Sequence, residues 1–250
     1  MNYPALAKAQ NLIRLGDISG AESALATLAD EEGDQALVLA LESFPPKDLL
    51  TIIREYDSSK ESVINLLVTP QQFARAMVIE KQYKDLSHMH LRGMVNSVIF
   101  RDDADPVAFL EAIGAVDGGC EALADYLLDH WGRVESFVRT GTFDPMEDDG
   151  SVVSEAAMLA AAYTKAHVER DEVADSDWME LTWLLHHHHP DFFIEVMTIL
   201  RMRERAFQAA HNGEEGSESD EDAETSTTDR TRDPAPRSTQ FVDPDEESAI

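Results

Sequence analysis

The stretch PKDLLTIIREYDSSKESVINLLVTPQQFARAMVIE, residues 46–80, decides how this chain folds. Pro46 and Pro70 each open a segment with helical periodicity, at the one helical position where a missing amide proton costs nothing. After Pro46, the residues Leu49, Leu50, Ile52 and Ile53 make one face. After Pro70, Phe73, Ala76, Met77 and Glu80 recur at helical spacing with polar residues between them. Thr69 and Gln72 have the spacing of a capping box, in which the hydroxyl accepts from the N3 amide and the Gln side chain reaches back to the cap. Residues 63–68, Val-Ile-Asn-Leu-Leu-Val, have the β-propensity of a strand, but no hairpin turn follows them and helix is the better reading. Helices joined by so few residues must lie antiparallel to their neighbours.

The same marks continue in both directions. Ser19 with Glu22, Ser58 with Glu61 and Asp177 with Glu180 repeat the capping-box spacing. Pro106 and Pro190 repeat the proline start, and Gly16, Gly33 and Gly132 fall near helix ends. They predict helices over 4–15, 19–30, 34–43, 46–56, 59–68, 70–83 and 86–100. Others are predicted over 106–116, 119–131, 133–140, 151–172, 177–188 and 190–211. Residues 95–100, Val-Asn-Ser-Val-Ile-Phe, share the ambiguity of 63–68 and its resolution.

The expected fold is therefore all-α: stacked antiparallel helical hairpins over residues 1–140, forming a small bundle or short solenoid. Residues 141–150, GTFDPMEDDG, combine Gly, Pro and four carboxylates and read as an acidic linker. A C-terminal helical subdomain is expected over 151–211. From residue 212 on, Ser, Thr, Asp, Glu and Pro dominate, and Phe241 and Val242 are the only large apolar residues before the last. Such a segment buries too little surface to offset the entropy of ordering, so 212–250 reads as a disordered acidic tail.

Charge narrows the function classes. The 250 residues include 49 acidic and 20 basic ones, a net charge of −29. Residues 212–250 hold 13 acidic and 3 basic residues, so −19 belongs to residues 1–211. An acidic body repels nucleic acid and anionic membranes, because each phosphate contact needs a cation. It attracts basic protein partners. There are 6 Lys against 14 Arg, a balance that a salt-loaded cytoplasm also favours; the acidity would then be adaptation. No apolar run approaches the roughly 18 residues that span a bilayer. Met1-Asn2-Tyr3-Pro4 lacks the features of a signal peptide, so a cytoplasmic protein is expected. The single cysteine, Cys120, excludes an internal disulfide and a cysteine-based zinc site, and reads as a small helix residue beside Gly118 and Gly119 rather than a reactive thiol, since no basic partner is near in sequence.

The candidate chemistry is sparse. His186 to His189 attract attention, but consecutive helical residues point about 100° apart, so four cannot face one metal. They read as a polar helix end running into Pro190; a metal held by His186 and His189, which share a face at i, i+3 but lack an HExxH pattern, and pH sensing are the alternatives. His88 and His90 face different directions. Asp102, Asp103 and Asp105 read as caps, and Glu147, Asp148 and Asp149 lack the glycine-bearing frame of a calcium loop. No nucleophile elbow, P-loop or dinucleotide fingerprint occurs. The expectation is no catalytic site, no metal and no cofactor.

Aromatic residues carry the binding expectation. Trp178, Trp183 and Leu184, with Phe192, Phe193 and Met197, form an aromatic-rich helical pair. It reads either as the core of the C-terminal subdomain or as a groove for an apolar helix of a partner. The run Arg201-Met202-Arg203-Glu204-Arg205 suits a helix C-terminus, or the docking of an acidic segment. In the tail, Ser217 and Ser219 precede acidic residues and fit acidophilic phosphorylation. Ser248-Ala249-Ile250 fits a strand-addition ligand.

Residues 8–28, two helices about Gly16, resemble one tetratricopeptide unit. The run from Asp177 to Phe193, Asp-Trp-Met-Glu-Leu-Thr-Trp-Leu-Leu-His-His-His-His-Pro-Asp-Phe-Phe, resembles tail assembly chaperones of long-tailed phages. Those proteins are similar in being small, acidic, helical and finished by an acidic tail. The resemblance implies a non-enzymatic role, in which the long helical tape-measure protein is held until the tail tube forms around it. The stacked helices at 34–116 look like the acidic helical domain of magnesium transporters, without a membrane part. The leading expectation is an assembly factor or chaperone-like adaptor for helical or basic protein partners, with oligomer formation left open. An acidic nucleic-acid mimic acting as a decoy and a helical scaffold with halophilic acidity are the alternatives.

Overall fold

A computed structural model describes residues 3–56, 60–80, 89–145, 153–175 and 177–215, with 211–215 as backbone alone. Its helices are α1 (Pro4–Arg14), α2 (Ile18–Glu32), α3 (Asp34–Leu41), α4 (Pro46–Glu55), α5 (Val63–Leu67), α6 (Pro70–Glu80) and α7 (Met89–Val98). They continue with α8 (Pro106–Gly114), α9 (Gly119–Leu127), α10 (Trp131–Thr140), α11 (Glu155–Ala162), α12 (Trp178–His188) and α13 (Pro190–Glu215). Short 3-10 turns occupy Leu128–His130 and Arg170–Glu172. The fold is all-α, with no strand among the described residues, and 63–67 and 95–98 are helical as expected.

Pro46, Pro70, Pro106 and Pro190 each stand at the first residue of their helix. Thr69 and Gln72 make the reciprocal cap: Gln72 Oε1 accepts from the Thr69 amide at 3.0 Å, and Thr69 Oγ1 from the Gln72 amide at 3.4 Å. The Ser19–Glu22 box does not form. Asp17 caps α2 instead, accepting from the Gly20 amide at 2.8 Å. Glu22 is thereby released to reach α5, where it accepts from Ser62 Oγ at 3.3 Å and from the Val63 amide at 3.2 Å. Asp177 caps α12, but Glu180 turns away from the cap to pair with Arg170 at 3.2 Å. A long-range partner outcompetes the local one in both cases.

α1 and α2 form a helical hairpin through Gly16, whose φ of +81° suits a residue without Cβ. α3 packs on α2, and beyond it the packing alternates: α4 lies on α6, and α6 on α8. α6 is the central helix. Phe73, Ala74, Ala76 and Met77 are fully buried, and Phe73 meets Phe109 of α8 edge-on at 5.7 Å. Glu80, on the same face, is buried and pairs with Arg54 of α4 at 3.3 Å, as a buried carboxylate requires. One contiguous core runs from Ala9 in α1 to Leu200 in α13. At about 2 kcal/mol for each buried large apolar side chain, this burial is the main term opposing chain entropy.

Residues through Phe207 belong to one compact unit. Phe143, inside the expected linker 141–150, is buried and stacks on Phe137 at 4.5 Å. The stretch does have an apolar anchor, and the helices before and after it share the core. The second unit begins at Gln208, and its described residues, 208–215, are helical. The remainder of the expected tail, 216–250, with Ser217, Ser219 and the last three residues, lies outside the described residues. So do 57–59 (with Ser58), 81–88 (with His88) and 146–152 (with Glu147, Asp148 and Asp149).

The single helix expected over 151–172 is broken. α11 stops at Ala162, where the Thr164 amide bonds back to the Ala161 carbonyl at 3.0 Å in a tightened turn. Beyond it, the His167 amide donates to the Gly141 carbonyl at 2.9 Å and Trp183 Nε1 to the Val168 carbonyl at 3.1 Å. Tertiary donors and acceptors take the backbone groups that a continuous helix would have used. Gly132 also departs from expectation: it lies inside α10, and Gly141, at φ +76°, closes that helix.

Candidate functional site

The expected aromatic site separates into two kinds of residue. Leu184, Phe193 and Met197 are fully buried, the core alternative for this helical pair. Trp178, Trp183 and Phe192 are half-buried and held by neighbours of this same chain. Trp178 stacks on His130 at 4.5 Å with rings 8° from parallel, meets Phe143 edge-on at 5.5 Å, and lies under the Arg133 guanidinium at 5.9 Å. Trp183 stacks on His187 at 3.6 Å. Phe192 lies against Gly114 at the end of α8.

The histidine run binds the fold together. His186 is buried, and its Nε2–H donates to the Ala161 carbonyl at 2.9 Å. His187 Nδ1–H donates to the Trp183 carbonyl at 3.0 Å and lies 3.3 Å from His186 Nδ1, which is then an acceptor. His189 Nε2–H donates to the Val107 carbonyl of α8 at 3.0 Å. Burial pushes His186 below its ordinary pKa, with His187 adding to the effect and the Ala161 bond opposing it. His188 is lowered mainly by burial, then by His189 and His187, and His130 mainly by burial and then by Arg92. His186 and His189 use their ring N–H groups on carbonyls of different elements. No group of three or more potential metal ligands comes together among the described residues.

The arginine run is also structural. α13 continues past it to Glu215, so it is not a helix C-terminus. Arg201 is buried and donates to the Val153 carbonyl at 3.1 Å, tying α13 to the start of α11. Arg203 pairs with Asp125 of α9. Cys120 is buried, and burial together with Glu195 pushes its thiol up to about 12.

Sequence reasoning missed the feature that faces outward. α11 has the sequence EAAMLAAA, in which only Met158 and Ala162 are buried. Ala156, Ala157, Leu159 and Ala160 are exposed, and Tyr163 follows at 69% exposure, its hydroxyl donating to Asp191 at 3.3 Å. A helix apolar on every side is ordinarily enclosed. The signal was present as a run without charge after Glu155, but it merges with the surrounding segment when 151–172 is read as one helix.

Beside α11 lies a cavity of about 380 Å³. Phe137, His186 and Phe193 line its inner wall, their rings edge-on to one another at 5.2 to 6.3 Å. Ala157, Ala160 and Ala161 supply the α11 wall. Arg139 and Thr140 at the end of α10, with Lys165 and His167 after α11, supply polar groups. Comparison with known protein families, curated proteins and solved structures finds no match for this chain. No helix among the described residues is long and apolar enough to cross a membrane.

Proposed function

We propose that this chain is a non-enzymatic assembly factor or chaperone-like adaptor that holds a helical, basic segment of a protein partner. The observation that carries the reading is the apolar face of α11 that no described residue covers, with Leu159 on it and Tyr163 following at its end. An amphipathic helix lays its apolar face on such a surface, as helix-binding proteins commonly allow. The partner should be basic as well, because the body supplies −19 of long-range attraction. The aromatic residues first assigned to this role contribute indirectly, by fixing α12 and α13 beneath α11. The resemblance at Asp177 to Phe193 makes phage tail assembly the setting to examine first, with the tape-measure protein as the helical client.

The test is co-expression with the proteins encoded beside this chain, using wild type, Leu159→Asp and Tyr163→Asp. A partner that co-purifies with wild type and is lost from both variants, at unchanged melting temperature, supports the proposal. If nothing co-purifies with wild type, the proposal fails. The body's acidity favours a second reading, a nucleic-acid mimic that occupies a DNA-binding protein. In that case the partner would compete with DNA, and binding would collapse with salt while ignoring Leu159→Asp.

A further inference from the structure

We propose that the cavity between α10 and α11 is a binding site for a small organic carboxylate, an anionic head on an apolar body. It goes beyond the adaptor reading, which concerns Leu159 and Tyr163 on the outer face of α11; the cavity shares only Ala157 and Ala160 with that face. The volume of about 380 Å³ lies within the range of small-molecule sites.

The inner wall offers no hydrogen bond to a ligand. Phe137 and Phe193 have none to give. His186, the third ring, has its N–H committed to the Ala161 carbonyl and its Nδ1 to His187. That wall accepts hydrocarbon. The entrance is the opposite: every ionisable side chain lining the cavity is Arg, Lys or His, in a chain where acidic residues outnumber basic ones 49 to 20. The carboxylates paired with the cations, Glu135 on Arg139 at 2.8 Å and Glu169 on Lys165 at 3.4 Å, hold them from outside the lining. The Lys165–Glu169 pair is exposed, and such pairs contribute little, so Lys165 can turn to a ligand carboxylate at small cost.

The ligand class follows from the two halves together. An inorganic anion gains nothing from the apolar wall to offset the long-range repulsion that every anion meets from the acidic body. A cation meets only like charge at the entrance, and a neutral hydrocarbon leaves the entrance cations unused. An amphipathic carboxylate satisfies both ends, with its head near Lys165, Arg139 and His167 and its body on Phe137 and Phe193.

The experiment titrates the full chain with sodium octanoate, octylamine, octanol and inorganic phosphate. Binding is followed by calorimetry and by the imidazole resonances of His167 and His186. Octanoate is expected to saturate and to shift both resonances, while the other three probes bind at least about tenfold more weakly. Two variants at exposed positions test the two ends: Lys165→Glu should weaken octanoate about tenfold or more, and Ala160→Trp, which fills the cavity, should abolish it. Both should melt with wild type, since neither side chain is buried. The proposal is overturned if octanoate does not bind by about 10 mM, a free energy near −3 kcal/mol. Octylamine, octanol or phosphate binding as tightly as octanoate also overturns it, as does Lys165→Glu leaving octanoate affinity unchanged. Loss of octanoate binding in Lys165→Glu, a position beyond the end of α11, together with retention of the protein partner, separates this site from the outer face of α11.

Discussion

Replacing Gly114 by Ala should destabilise the protein even though alanine is the better helix former. Gly114 is the last residue of α8, and a Cβ built there falls within 2.6 Å of three ring carbons of Phe192 on α13. Carbon atoms prefer about 3.5–4.0 Å, so the ring must move by roughly 1 Å. It cannot move alone, because it leans on His189 at 5.6 Å, and His189 holds α12 to α8 through the Val107 carbonyl. Overpacking of this kind costs about 1–3 kcal/mol. Helix propensity returns at most about 1 kcal/mol, and less at the final helical residue. The net loss is then about 1–2 kcal/mol, or roughly 2–8 °C in melting temperature for a chain of this size. Urea unfolding followed by circular dichroism and tryptophan fluorescence measures it. The control is a double-mutant cycle: in a Phe192→Ala background, where the obstruction is gone, Gly114→Ala should be neutral or stabilising. Were Gly114→Ala as stable as wild type, or equally costly with and without the Phe192 ring, the account of how α8 and α13 approach would be refuted.

Acid should weaken the fold through its histidines. His186, His188 and His130 are held below their ordinary value near 6.5, chiefly by burial. The unfolded chain therefore binds protons at higher pH than the folded one. Their stabilisation is complete above about pH 6.5 and is lost as pH falls through the lowered folded values. Unfolding free energies between pH 7.5 and 5 should fall more steeply for wild type than for His186→Asn, and parallel slopes would contradict the assignment. The thiol of Cys120, raised to about 12 by burial and Glu195, should resist alkylation in the native protein. Its labelling rate should track unfolding across a urea series, and rapid labelling without denaturant would show that the site is open.

Much of the helical layout was legible because its signals are local. A proline at the first helical turn, the Thr69–Gln72 exchange and the faces at Leu49–Ile53 and Phe73–Glu80 each depend on residues within one or two turns. The functional surface was less legible. The aromatic residues of α12 and α13 and a surface groove have the same composition, and only their neighbours separate the two. Leu184, Phe193 and Met197 are core because other helices cover them, while α11 is bare because nothing among the described residues does.

Sequence alone determined the all-α class, the acidic character and nearly every helix start, since propensity, capping and periodicity act over a few residues. Tertiary structure decided where local rules lost. Glu22 left its own cap for Ser62, Glu180 left its cap for Arg170, and the backbone after α11 gave its groups to Gly141 and Trp183. It also decided what the histidine run does. Imidazoles in a row can be a solvated helix end or a set of clasps, and the choice depends on whether carbonyls from α8 and α11 arrive within 3.0 Å. That distance is set by the packing of helices far apart in sequence, which no local pattern encodes.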